Sequence, residues 1–146
     1  MTVHQNRLKV INFTIGATAY DCQIQSWTVD PGVQDGDRQY TYCSSGTNSF
    51  IEETDSEPTL QLKFYSDWRS PTGLSSFLWQ NPNVVATFQL DHHPDIPSEH
   101  VVWSGSVLLQ PPPAGGDARD TEISEITLMI VGGLGTPGGL TFTPAP

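Results

Sequence analysis

The apolar positions of this chain change period twice across its middle, from two residues to a helical repeat and back to two. Residues 59–65 alternate strictly: Leu60, Leu62 and Phe64 face one side, Gln61, Lys63 and Tyr65 the other. That is the pattern of a half-buried strand. The run Ser70-Pro71-Thr72-Gly73-Leu74-Ser75-Ser76-Phe77-Leu78-Trp79-Gln80-Asn81-Pro82 then carries Leu74, Phe77 and Leu78 at helical spacing, which makes them one packing face. Ser70 suits an N-cap, Pro71 suits the first helical position, and Asn81-Pro82 forces an end. The spacing predicts a helix over 70–81, with Trp79 beside the apolar stripe. Period two returns at 84–90, 100–110 and 123–131, where Ile126, Leu128 and Ile130 share a face. The stretch Pro111-Pro112-Pro113-Ala114-Gly115-Gly116 is a loop, since proline cannot donate within a central ladder.

Before residue 59 the pattern is looser. Residues 8–15 and 19–29 read as two strands joined at Gly16-Ala17-Thr18. In the second, Tyr20, Cys22 and Ile24 form a dry face opposite Asp21, Gln23 and Gln25. Turn signals follow at Asp30-Pro31-Gly32 and Asp35-Gly36-Asp37. A short strand over 38–43 carries Tyr40 and Tyr42 on one face. Beyond it lie a small, polar segment and the acidic run Glu52-Glu53-Thr54-Asp55-Ser56-Glu57. Residues 30–57 therefore form one long hairpin excursion, which in a compact domain is usually functional or disordered.

Many short strands, one short helix, 13 glycines and 12 prolines predict a mainly β fold, a sandwich or barrel. At 146 residues the chain reads as one domain over 1–133, with an extended Gly/Pro-rich tail over 134–146. The formal net charge of −10, six Lys and Arg against sixteen Asp and Glu, excludes adhesive binding to phosphate backbones or anionic membrane. No signal-peptide pattern and no run of about 20 apolar residues is present, so the sequence predicts neither secretion by that route nor a membrane span. Cys22 and Cys43 are then expected as reduced, packed thiols.

Candidate chemistry is sparse. Gly133-Leu134-Gly135-Thr136-Pro137-Gly138 matches G-x-G-x-x-G after a strand, but Pro137 and Gly139 oppose the helix a dinucleotide site needs, so the run is a linker. Asp91-His92-His93-Pro94-Asp95, with Glu99 and His100, has the residue types that ligate zinc or manganese. Pro94 and Pro97 mark a turn, though, adjacent histidines at a strand end point oppositely, and a solvated polar loop is expected instead. Ser104-Gly105-Ser106 lies mid-strand and is no nucleophile elbow. Neither cysteine has a local basic partner that would activate it. Trp27, Trp68, Trp79 and Trp103 are spread along the sequence, which favours core or interface roles over a sugar-binding platform. No catalytic residue, metal or cofactor is expected.

One resemblance emerges from the order of elements. Phe77-Leu78-Trp79-Gln80-Asn81-Pro82, then Val85-Ala86-Thr87-Phe88, then Trp103-Ser104-Gly105-Ser106-Val107, resembles the tail tube (major tail) proteins of long-tailed bacteriophages. So do the loop Pro113-Ala114-Gly115-Gly116-Asp117-Ala118 and the closing strand over 122–131 with Gly132-Gly133. The resemblance covers the C-terminal half. It implies a β-sandwich-like subunit whose sheets join those of its neighbours, self-assembly into hexameric rings, and a stacked tube around a tape-measure protein. DNA then passes through the lumen without specific binding, and tail terminator and baseplate or distal tail proteins are partners at the two ends. It implies location in a virion tail assembled in the host cytoplasm, with no membrane and no enzymatic activity. The same fold resembles the tubes of other contractile systems. Under this resemblance the long hairpin becomes an inter-ring element that orders on contact, with Asp30, Asp35, Asp37, Tyr40, Tyr42, Glu52, Glu53 and Asp55 as candidates, and Trp79 an intersubunit contact. A capsid decoration protein, a tail terminator or completion protein, and a carbohydrate-binding β-sandwich are the alternatives.

Overall fold

The computed structural model describes residues 7–34, 36–43, 46, 49–51, 55–70, 72–135 and 139–145, with 50, 51 and 55 as backbone. Among them the strands are β1 (Ile11–Ile15), β2 (Thr18–Ala19), β3 (Ile24–Asp30), β4 (Val33–Gln34), β5 (Arg38–Tyr40), β6 (Ser49–Ile51), β7 (Asp55–Ser56) and β8 (Thr59–Tyr65). The helix α1 (Leu74–Gln80) follows, then β9 (Val85–His92), β10 (Val101–Leu108), β11 (Ile123–Ile130) and β12 (Thr141–Thr143). Eight strands make one antiparallel sheet in the order β2-β1-β9-β10-β11-β8-β3, with β12 added to β10. The protein is mainly β with a single α-helix.

Strand β10 is the joint of this sheet. It pairs with β9 along its whole length, but its other edge is divided. Val107 and Leu108 pair with Ile130 and Met129 of β11, while Val102, Trp103 and Ser104 pair with Thr143, Phe142 and Thr141 of β12. Because β11 parts from β10 after two residues, the sheet folds over and its two arms share one core. Phe13, Ile15, Phe88, Leu90 and Val107 come from one arm, and Leu60, Leu62, Phe64, Leu128 and Ile130 from the other. The arms meet again at the far edge, where Trp27 of β3 packs on Trp103 of β10 at 5.7 Å between ring centres. Helix α1 adds Leu74 and Leu78, both fully buried, to the same core.

Strand β8 spans the predicted residues, with Leu60, Leu62 and Phe64 inside. Strands β9, β10 and β11 fall within two residues of their expected ends. The segment 19–29 does not form one strand. Ala19 ends the two-residue β2, a 3-10 turn follows over Asp21–Gln23, and Ile24–Asp30 enters the sheet separately as β3. Cys22 consequently sits exposed on that turn, and Cys43 is exposed in the hairpin, so both thiols are free but neither is packed. The expected extended tail returns to the sheet as β12. Leu140 is buried there, and its backbone is held by Gly133 and Gly135.

The helix starts later than its cap signals predict. Asp67 accepts the N–H groups of Arg69 and Ser70 through Oδ1, and the Ser70 hydroxyl accepts the Thr72 N–H, so these residues make a tight turn rather than a first helical turn. Pro71 lies outside the described residues. Gly73 becomes the N-cap, and a Cβ there would sit 2.2 Å from the Asp67 carbonyl oxygen, which only glycine avoids. With no side chain at the cap, Gln23 substitutes from 51 residues away. Its Oε1 accepts the Leu74 N–H at 2.9 Å and its Nε2 donates to the Thr72 carbonyl at 3.0 Å. This contact explains why the chain turns at Asp21–Gln23 instead of continuing as a strand. Gln23→Ala should lower stability by about 1–2 kcal/mol in urea unfolding, the range for a lost N-cap with a partly buried N–H left unpaired. Gln23→Glu, which keeps the acceptor, should lose less; equal losses would show that the cap contributes nothing. At the other end Asn81 acts as read, its backbone N–H and side-chain Nδ2 both donating to the Phe77 carbonyl.

Candidate assembly surface

Residues 30–57 form the predicted long hairpin, built from two antiparallel ribbons. Val33 and Gln34 pair with Ser56 and Asp55, and farther out Arg38, Gln39 and Tyr40 pair with Ile51, Phe50 and Ser49. Its neck is tightly made. The Asp30 carboxylate accepts the Gly32 N–H at 2.8 Å, and the Glu57 N–H donates to the Gly32 carbonyl at 2.9 Å. Gly32 has φ +58°, and a Cβ would stand 2.0 Å from the Glu57 carbonyl oxygen, so the neck requires glycine. The Leu134 N–H, donating to the Ser56 hydroxyl at 3.0 Å, ties the neck to the loop before β12.

No described side chain of the outer ribbon joins the core. Tyr40 and Tyr42 are 72% and 107% exposed, values that leave both rings free to meet another molecule. Asp30 is half-buried at the neck and Asp37 is exposed at the bend between the ribbons. Asp35, Glu52 and Glu53 lie outside the described residues, and Asp55 is placed by its backbone pairing with Gln34.

The four tryptophans, scattered in sequence, sort into two pairs. Trp27 and Trp103 form the half-buried seam between the arms, with Phe142 stacked on Trp103 at 5.4 Å. Trp68 and Trp79 lie 6.4 Å apart at the surface, 42% and 49% exposed. Phe77, expected in the packing face, is half-buried and rests on Tyr20 at 5.8 Å, so Trp79 is turned outward beside it. Glu122 fixes the Trp68 ring. Its carboxylate accepts the Trp68 indole N–H and, through its second oxygen, the Gly115 N–H. These two donors hold its carboxyl below the ordinary carboxylate value. Charge at Glu122 thus orients an exposed aromatic pair. No local sequence pattern announces this pairing, since 54 residues separate Trp68 from Glu122.

The outward face of the sheet is polar and nearly free of cations. Asn12, Thr14, Thr87, Gln89, Asp91, Ser104, Ser106 and Thr141 line it on β1, β9, β10 and β12, where alternation places no Lys or Arg. On the other arm Lys63 lies at 3.4 Å from Glu125, which offsets its charge.

The Asp91–His100 region differs from the expected solvated loop. His92 continues the inward alternation of Phe88 and Leu90 to the end of β9 and is buried, and His93 is buried beside it with φ +53°. Among the described residues no three His, Cys, Asp or Glu side chains are placed to hold a metal ion. Ser104-Gly105-Ser106 lies within β10 as expected, and the Gly-rich run after β11 leads to a strand. No described helix is long and apolar enough to cross a membrane.

Neither a protein-family model nor a curated protein matches this sequence. Solved structures do match its fold. One is the sheath/tube terminator, in the extended state, of an extracellular contractile injection system termed PVC. It shares 14% identity, with a TM-score of 0.59 over 98% of this chain and 99% of that one. Another is the tube-terminating cap of the anti-feeding prophage, at 13% identity and TM-score 0.59 over 99% and 96% of the two chains. A chain of the PVC sheath–tube complex matches at 11% identity and TM-score 0.53 over 92% and 88%. The fold is therefore that of tail-tube-related components of contractile injection systems. Two of these neighbours are a terminator and a terminating cap and the third belongs to a sheath–tube complex, so they are not specifically the major tail proteins of long-tailed phages that the sequence resembles.

Proposed function

We propose that this chain is a tube-terminating subunit of a tail-like particle, a structural protein that joins copies of itself into a ring and seats on the end of a tube. The observation that carries this is the end-to-end match to a terminator and a terminating cap, at TM-score 0.59 with at least 96% of each chain covered. A domain of the same extent, with neither a large insertion nor a missing arm, can occupy the same kind of position. The reading carries no catalytic step. Its partners are further copies of itself, in a ring taken to be hexameric, and the tube and sheath on which that ring sits.

Three features of the chain support it. Among the described residues strand β3 has β8 on one edge only, and a free edge of seven residues is a contact that assembly with a neighbour would complete. The hairpin and the Trp68–Trp79 pair supply two distinct exposed surfaces, as a head-to-tail ring requires. The polar, cation-poor outer sheet face would let a nucleic acid or another polyanion pass without adhering.

Electron microscopy of the purified chain, alone and mixed with preformed tubes of its own particle, tests the reading. Single rings, with one at a tube end and elongation stopped, are expected. Long tubes formed by this chain alone would instead make it the tube subunit. Monomers at high concentration with bare tube ends would reject both.

A further inference from the structure

Four histidines occur in the chain, and three of them converge at the turn between β9 and β10. His92 and His93 have ring centres 4.0 Å apart, and both are buried, at 1% and 7% exposure. Burial of this depth normally comes with hydrogen bonds. Yet His92 Nε2, His93 Nδ1 and His100 Nε2 find no hydrogen-bond partner among the described residues.

The three differ in what a proton would meet. His93 Nδ1 lies 4.0 Å from Asp95 Oδ1, and His100 Nε2 lies 3.8 Å from Asp91 Oδ2. A small ring movement gives either of them a charge-assisted hydrogen bond. His92 has no such acceptor. Its cross-strand neighbours are Ile11 of β1 and Val101 of β10, and the Trp27 ring of β3 covers it at 6.0 Å. None of those three titrates. The ionisable groups acting on His92 are His93, whose positive charge opposes its protonation, and Glu99, which favours it weakly.

We infer that His92 is a proton-operated latch, which closes the seam between the two arms of the sheet while neutral and opens it when charged. Neutral, its ring fills the space under Trp27 at the end where Trp27, Trp103 and Phe142 stack. Charged, beside a charged His93, it has no acceptor within that space and must leave it. The rest of the turn can follow, because the Asp95 and Asp91 carboxylates stand 4.0 and 3.8 Å from the His93 and His100 rings.

The sign follows from linkage. Burial, then the His93 charge, holds His92 below the ordinary histidine value. The native state therefore binds this proton less readily than the unfolded chain. The stabilisation is complete above the unfolded pKa of about 6.5 and is lost as pH falls below it.

Hydrogen exchange followed by NMR, with intrinsic rates corrected for pH, tests this on the whole chain. Protection of the His92, His93 and Val101 amides should fall about tenfold between pH 7.5 and 5.5, the loss one pH unit below the ordinary histidine value permits. His92→Phe, which keeps an aromatic ring under Trp27, should remove the pH response, and His93→Asn, which tolerates the left-handed backbone, should shrink it. Equal pH dependence in wild type and His92→Phe would overturn the inference. If His92→Phe does not fold, the His92 ring resonance of the wild-type protein decides: titration at or above the ordinary histidine value overturns the latch, and titration below it, together with the loss of protection, supports it. This inference is independent of the assembly reading.

Discussion

Leu78→Ala should destabilise the protein by about 2–5 kcal/mol, read from the midpoint of urea unfolding at unchanged m-value. Leu78 is fully buried, and it is one of two apolar side chains by which a seven-residue helix holds to the sheet. So short a helix has little stability of its own and depends on what its buried face contacts. Removing the isobutyl group leaves a hole between α1 and core residues drawn from both arms, with little freedom for the surroundings to collapse. Phe77→Ala should cost less, because Phe77 is half-buried and loses mainly its contact with Tyr20. A loss below about 1 kcal/mol for Leu78→Ala would mean that the helix is not seated as described.

The second large effect falls on assembly and leaves stability nearly alone. Deleting residues 36–53 and joining 35 to 54 through a short glycine linker should leave the unfolding midpoint within about 0.5 kcal/mol of wild type. It should abolish capture at tube ends in co-sedimentation. The removed ribbon contains β5 and β6, of which no described side chain belongs to the core cluster, while the β4–β7 pairing and the Ser56–Leu134 hydrogen bond remain. Undiminished capture by the deletion variant would exclude the hairpin from the interface. Collapse of the fold would show that the ribbon is structural after all.

The elements legible in the sequence were those whose partners are periodic and whose boundaries are chemical. Strand β8 is strictly alternating with apolar residues on one face only, and no other arrangement buries Leu60, Leu62 and Phe64 together. The long hairpin announced itself through its length and turn residues. The assembly role proposed for it rests on exposure, which the sequence alone does not report. The misread elements depend on distant contacts. Tyr20, Cys22 and Ile24 alternate as a strand would, yet Gln23 is committed to the N-terminus of α1, and a three-residue turn is what lets it reach. Ser70 and Pro71 carry genuine start signals, but Asp67 captures the preceding N–H groups first.

The histidines show a different kind of miss. Two prolines in a polar run suggested a wet loop, although Phe88, Leu90 and His92 keep period two and place the imidazole inside. That alternation was available in the sequence and outweighs the polarity of the residue. Trp68 and Trp79 gave no comparable sign, because their pairing depends on where α1 lands relative to the end of β8.

The pairing of β1 with β9 also sets an order of events during synthesis. Residues 11–15 find their main partner in 88–92, so the first strand made has only the two-residue β2 to hold it until more than half of the chain has emerged. Closing so long a loop is slow compared with forming a hairpin, and sheets built from such distant pairs fold late. Strands β8 and β3, by contrast, can pair as soon as residue 65 is available. The nascent chain thus pairs β3 with β8 first, can form the β1–β9–β10 arm once residue 108 is available, and adds β11 and β12 last. The seven-residue edge of β3 is then exposed before the domain has closed, a period in which crowding of nascent chains favours mispairing over rings.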